Sequence, residues 1–343
     1  MKKHIYLFLL IALAFASCER LMMPKPKKYS ATQLFEEVWS KMNTGYAYFE
    51  NKGIDWDSIH NEYMFKIADT FNTQQVYDTL SQMLNILQDD DISLNAGFAQ
   101  SYYKKPTFYK EDFNKQLLEK TYWLGAEKTG PLLYKVIDSC GYIYYGDFNQ
   151  DVTDAQINVV IDRLKGLGMK KGLILDVRNN PGGKYDNMFT LFKHMGYDTA
   201  GYDYSVYLYQ SAYKKGPARD EFTDYVGTFM DKNNEKKFAK KIRVLTNRGM
   251  LGVGNLFATG SQGFFNVRTM GDTTGGGNCG LTTSYELSNS WILTFPSTKV
   301  RTAGGFFMND GVAPDSTIHT TATDEAAGKD TIIEAAIDNL WGR

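Results

Sequence analysis

Two segments of the chain carry residue types and spacings able to do chemistry, residues 173–183 (LILDVRNNPGG) and residues 244–255 (VLTNRGMLGVGN). In the first, the apolar run Leu173, Ile174, Leu175 ends at Asp176, Arg178 and a Pro181-Gly182-Gly183 turn. That is the pattern of a buried strand whose polar carboxyl end opens onto a site. Gly182 and Gly183 can adopt backbone angles closed to other residues, so their N–H groups can turn toward a ligand oxygen and build an oxyanion hole. The plain alternative is an ordinary turn between strand and helix. In the second, a strand from Ile242 to Leu245 runs into Thr246-Asn247-Arg248-Gly249 and a predicted helix from Met250 to about Gly260. A junction of this kind presents the nucleophile of a serine hydrolase and aims backbone donors of the helix start at the oxyanion. Here it offers Gly249, Met250, Leu251, Gly252, Val253 and Gly254, none of which attacks a carbonyl.

The elements that must position these segments follow from periodicity. From Val136 onward, strands at 141–147, 172–177, 242–246 and 265–270 alternate with helices at 153–167, 185–195 and 250–260, which implies parallel βαβ units and an α/β fold. A helix from Asp330 to Leu340 closes the chain, and residues 199–240 show no clean period. Before the core, Leu34, Val38, Trp39 and Met42, then Val76, Leu80, Met83, Leu84 and Leu87, recur at helical spacing and predict a small helical region. Gly53-Ile54-Asp55-Trp56-Asp57 reads as a turn into a helix capped by Asp55 or Asp57. Tyr103, Tyr109, Tyr122, Trp123 and Tyr134 form an aromatic cluster suited to packing between the two regions.

With 343 residues, 43% of them apolar, the chain can bury a substantial core. Lys2, Lys3 and His4 precede an apolar run from Ile5 to Ala16 and then Ser17-Cys18, the pattern of a secretory signal ending in a lipobox, with lipidation at Cys18. That run is too short to span a bilayer, which needs about twenty residues. Pro24, Lys25, Pro26, Lys27 and Lys28 then make an extended tether. Cleavage would remove Lys2 and Lys3 and take the formal charge from −1 to −3, which argues against nucleic acid as a partner. Lipidation of Cys18 leaves Cys140 and Cys279, free or paired with each other.

The chain resembles the tail-specific, or C-terminal-processing, serine proteases, and within them the tricorn-core-like branch found as Bacteroidetes-type lipoproteins. Seven blocks between about Ser30 and Arg343 carry the resemblance: residues 34–63, 82–94, GYIYYGDF at 141–148, the two segments above, GDTTGGG at 271–277 and DGVAPD at 310–315. It implies a crotonase-like α/β protease core with an N-terminal helical cap. The boundaries expected are a signal peptide at 1–17, a lipidated tether at 18–30, the cap at 31–100, a connecting segment at 101–135 and the core at 136–343.

The resemblance also assigns site positions. The nucleophilic serine of the family falls at Gly252. The histidine base, the last residue of an Asp-Gly-His tripeptide, falls at Asp91 in Asp89-Asp90-Asp91. The stretch Gly275-Gly276-Gly277-Asn278, where other members place a lysine base, has none, and Glu286 corresponds to a supporting acid. The oxyanion donors would be Gly182, Gly183 and Val253. Ser261 does not replace the serine, because nine helical residues put it roughly 13 Å farther along the axis. Cys279 lies in the glycine-rich loop without an adjacent cation to activate a thiolate, so a structural thiol is the expectation. The three aspartates are expected to form a solvated acidic turn, because neighbours on a chain point apart. The leading reading is a non-catalytic peptidase homologue, without cofactor or metal, lipid-anchored at a bacterial cell envelope in the periplasm or at the outer membrane, binding polypeptides or their C-terminal segments. The alternative is an active serine-type peptidase with an unrecognised nucleophile; a third reading is a scaffold that binds no peptide.

Overall fold

The structure, a computed structural model, describes residues 29–103, 111–196, 205–277 and 279–343. The signal peptide, Cys18, the tether through Lys28, Tyr109 and Asn278 lie outside the described residues.

A mixed sheet of seven strands forms the centre, in the order β14-β10-β9-β6-β5-β4-β3. Its strands are β3 (Glu127–Thr129), β4 (Leu132–Ile137), β5 (Cys140–Tyr144), β6 (Gly172–Asp176), β9 (Ile242–Thr246), β10 (Val267–Gly271) and β14 (Ser316–Thr317). From β5 to β14 all pairings are parallel, while β3 and β4 add antiparallel strands at one edge. Every residue of β6 and β9 is buried, as expected of central strands covered on both faces.

Alternation along these strands sorts the core. Leu173, Leu175, Ile242 and Val244 face one side, against α6 (Asp154–Gly166), α7 (Tyr185–Met195) and α8 (Val253–Ser261). Tyr142, Ile174, Leu245 and Met270 face the other, against α10 (Thr331–Trp341). Cys279 belongs to the first cluster and Cys140 to the second, so the sheet separates them, and both are free thiols. β6 and β9 pair directly, Asp176 opposite Leu245, which sets the loops leaving their carboxyl ends side by side. This adjacency brings the two segments of interest together.

The N-terminal region holds α1 (Ala31–Gly45), α2 (Phe49–Lys52), α3 (Trp56–Met64) and α4 (Thr73–Asn85). Capping boxes start α1 at Ser30 and α4 at Asn72, and Asp55 caps α3 by accepting from the N–H groups of Asp57 and Ser58. The region is not wholly helical. Its last residues form β1 (Ser93–Asn95) and β2 (Gln100–Tyr102), and β1 pairs with β12 (Ile292–Pro296), itself paired with β11 (Thr282–Glu286). The cap thus shares one core with the distant chain, including Leu287, Trp291, Leu293 and Phe295. A short helix α5 (Lys115–Lys120) lies in the connecting segment, whose end already supplies β3 and most of β4 to the central sheet. In the stretch without clear period, β7 (Val206–Tyr213) and β8 (Val226–Met230) join β13 (Thr298–Thr302) in a three-stranded sheet. Helix α9 (Ala322–Ala326) precedes α10. Among the described residues no helix is long and apolar enough to cross a membrane.

Candidate active-site cleft

The first loop is anchored by a buried charge network at the end of β6. Arg178 is fully buried and gives Nε and one terminal nitrogen to the Asp176 carboxylate at 2.9 and 2.7 Å. Its other terminal nitrogen reaches Asp330 at 2.9 Å and the carbonyl of Asp112 at 3.1 Å. Asp330 also caps α10, accepting from Ile332 and Ile333, and Tyr142 donates to Asp176. Burial works against the guanidinium charge, but the carboxylates of Asp176 and Asp330 outweigh it and hold Arg178 well above its ordinary range. The network is satisfied on every side, which a buried charge requires.

Beyond it, Asn179 takes a left-handed conformation (φ 58°) that asparagine tolerates. It exchanges bonds with the second loop: its N–H donates to Asn247 Oδ1 at 2.8 Å, and Asn247 Nδ2 donates to Asn179 Oδ1 at 2.7 Å. Asn180 is fully buried; its Nδ2 donates to the Tyr145 carbonyl, and its own carbonyl accepts from the Leu251 N–H. The two glycines then press on neighbouring backbone. A Cβ on Gly182 (φ 93°) would meet Leu251 O at 2.8 Å and Val253 N at 2.9 Å, and one on Gly183 (φ 133°) would meet Asn149 N at 2.5 Å.

The three expected oxyanion donors are not equivalent. The Gly182 N–H is spent on Asn180 Oδ1 at 2.9 Å, an asparagine turn that the Pro-Gly-Gly pattern does not reveal. The N–H groups of Gly183 and Val253 make no hydrogen bond among the described residues. The latter is the first helical residue of α8, where unsatisfied donors and the helix dipole favour a ligand oxygen.

The turn after β9 is longer than expected, and α8 starts at Val253, not Met250, because Gly252 stands at φ 49°, ψ −118°. Its N–H donates to the Gly276 carbonyl at 3.1 Å. Around Gly252 there is room: the nearest atom to an added Cβ is Pro181 O at 4.0 Å, whereas Gly249, Gly254, Gly275 and Gly276 would all clash below 3 Å. Glycine is favoured at 252 by its backbone angle, not by lack of space. A strained strand-to-helix turn with an open Cβ direction is the geometry of a nucleophile elbow.

Other groups that might act there are held elsewhere. Cys279 is 4% exposed; its thiol donates to the Gly252 carbonyl, with Sγ at 3.0 Å, and accepts weakly from Asn255 Nδ2. Burial, with a further contribution from Asp91, pushes this thiol far above its ordinary range, so it stays protonated. Ser261 is fully buried and donates to the Phe257 carbonyl. Among the described residues the histidines are engaged outside the cleft, His60 with Glu36, His194 with Asp154 and the Lys236 carbonyl, and His319 with Asp112. Glu286 is exposed at the end of β11, where its strand neighbour is Ile292.

The aspartate turn differs from the solvated turn expected. Gln88 takes φ 47° and reverses the chain, and Asp89 Oδ1 accepts the Asp91 N–H, so carboxylate oxygens of Asp89, Asp90 and Asp91 fall within 4.8 Å of one another. Asp89 is buried and accepts from Tyr46 Oη at 2.6 Å. Burial raises its carboxyl above the ordinary range, against the pull of that hydrogen bond. Asp90 is exposed and Asp91 half-buried. The turn forms part of the wall of a cavity of about 650 Å³ that reaches Gly277 and Phe307.

Parallel strands delivering a glycine-lined loop and an elbow to one cleft define a serine-hydrolase type of scaffold. The family model of peptidase family S41 matches residues 139–318, and that of the tricorn protease C1 domain matches residues 28–85. The chain belongs to peptidase family S41. No curated protein sequence matches it. Among solved structures, a Parabacteroides merdae protein assigned as a peptidase is 30% identical, with 91% of this chain and 97% of that one covered and a TM-score of 0.82. The photosystem II D1 C-terminal processing protease is 18% identical over 85% of this chain and 93% of its own, with a TM-score of 0.57. A lipoprotein from Streptococcus agalactiae is 14% identical over 94% and 100%, with a TM-score of 0.55. The last two likenesses are of fold.

Proposed function

We propose that this S41 member is a non-catalytic peptidase homologue that holds polypeptide segments, including C-terminal ones, in the cleft without cutting them. The observation that carries the reading is Gly252, which occupies the elbow with open space and no side chain. Asp91 stands where a base is expected, and an aspartate with like-charged neighbours is a poor substitute for histidine at neutral pH. The donors of Gly183 and Val253 outlast loss of the side chains and serve a bound carbonyl oxygen. Loss of both nucleophile and base removes nearly all turnover, leaving binding. The buried, protonated state of Cys279 and the buried position of Ser261 weigh against a relocated nucleophile.

The lipobox reading of Cys18 extends the proposal to a protein lipid-anchored at the bacterial envelope, facing the periplasm or the outer membrane. Fluorescein-casein tests the binding reading. Saturable anisotropy change with no release of small fragments supports it, and casein neither bound nor cut overturns it in favour of a scaffold. Cys18→Ala tests the anchor: the variant is expected in the soluble fraction, and unchanged membrane association contradicts it.

A further inference from the structure

We propose that the cavity beside Gly252 receives a lysine or arginine side chain of the polypeptide in the cleft; the inference rests on the peptide-binding reading above. The cavity, about 650 Å³, lies between the turn at residues 87–90 and the loop at residues 307–310. Gly277 ties it to the elbow: it lines the cavity, a Cβ on it would lie 3.3 Å from Gly252 N, and its N–H donates to the Asn309 carbonyl at 3.2 Å. A side chain leaving a backbone held at Gly183 and Val253 therefore has this space next to it.

The walls suit a long cationic side chain. Ile54 and Phe307 offer apolar surface for the methylene stem, while Asp90 and Asp310, both exposed, bring carboxyl groups; Asp89 lies buried behind them, its carboxylate bonded to Tyr46. Lys52 is the cation among these lining residues, and its ammonium reaches the Gln88 carbonyl at 3.3 Å. The negative field extends to the elbow, where Asp91 and Asp90 both raise the Cys279 thiol. The same field opposes glutamate or aspartate at this place in the ligand.

The test uses fluorescein-labelled, alanine-rich octapeptides with one guest residue, lysine, leucine or glutamate, walked along the peptide, beside fluorescein-casein. At one guest position lysine is expected to bind roughly fivefold tighter than leucine, the scale of a pair of part-exposed ion pairs, with glutamate weakest. In the double variant Asp90→Asn with Asp310→Asn the lysine-to-leucine ratio falls to about one; both positions are exposed, and an unchanged thermal midpoint establishes that the variant is folded. Casein bound with no guest preference, or a preference that survives the double variant, overturns this inference and leaves the binding reading standing. No binding of casein or any peptide overturns both.

Discussion

The thiol of Cys279 donates to the carbonyl oxygen of Gly252, with Sγ 3.0 Å away, joining the loop after β10 to the first turn of α8. A side chain that sequence alone makes a possible nucleophile therefore works as a brace. Iodoacetamide at pH 8 is expected to leave Cys279 unmodified in the folded protein and to modify it fully in denaturant, read by peptide mass. Rapid native alkylation would show an accessible thiolate instead.

Glycines at the cleft should differ in tolerance. Gly252→Ser fits the open space and pays backbone strain alone, about 1–3 kcal/mol. Gly182→Ala adds a contact of 2.8 Å with the Leu251 carbonyl and displaces Val253 N, so its loss should be the larger. Urea denaturation ranks the two, and the opposite order would contradict the elbow geometry. On the proposed reading, in which Asp91 does not act as a base, Gly252→Ser alone is expected to cleave no casein.

Removing Asp330 should cost far more than removing a surface carboxylate. Asp330→Ala leaves the buried guanidinium of Arg178 short of a partner and uncaps α10, a loss of about 3–5 kcal/mol. Asp151→Ala, which breaks the exposed pair with Lys184, should cost at most about 1 kcal/mol. Chemical denaturation compares them, and equal losses would refute the anchoring role.

Stability should fall on the alkaline side. Burial, with Asp138 adding to it, pushes the Cys140 thiol up to about 11 from its usual 9.0, and Cys279 goes higher. Raised values mean that the folded chain holds these protons when the unfolded chain has begun to lose them. The contribution is therefore complete below pH 9 and is lost as pH rises through the folded values. Buried Tyr46 and Tyr142, also raised by burial, act the same way above about pH 10. Urea midpoints at pH 7, 9 and 10.5 should decline in that order, with a shallower decline in Cys140→Ala; an alkaline limb that is flat would contradict it.

Much of the core could be read from the chain because its strands are short apolar runs with polar ends, and β6, β9 and α7 lie where periodicity puts them. The pairing of β1 with β12 could not be, since three-residue strands leave no period and the partner lies some two hundred residues away. The start of α8 was displaced by a backbone angle at Gly252, which composition does not encode beyond the glycine itself. Asn180 and Asn247 were missed as organisers of the two loops, although asparagine beside proline or glycine turns is a signal for such side-chain-to-backbone bonds. The aspartate turn was misread because neighbouring side chains diverge only when the backbone stays regular, and Gln88 breaks that regularity.

The most direct test of the central claim is the intact mass of the folded protein after exposure to a fluorophosphonate probe, beside a casein-cleavage assay. The account predicts an unmodified mass, uncut casein and casein still bound. A phosphonate adduct on a single serine together with casein fragments would mean that a working nucleophile exists away from Gly252 and that the site is relocated, not lost.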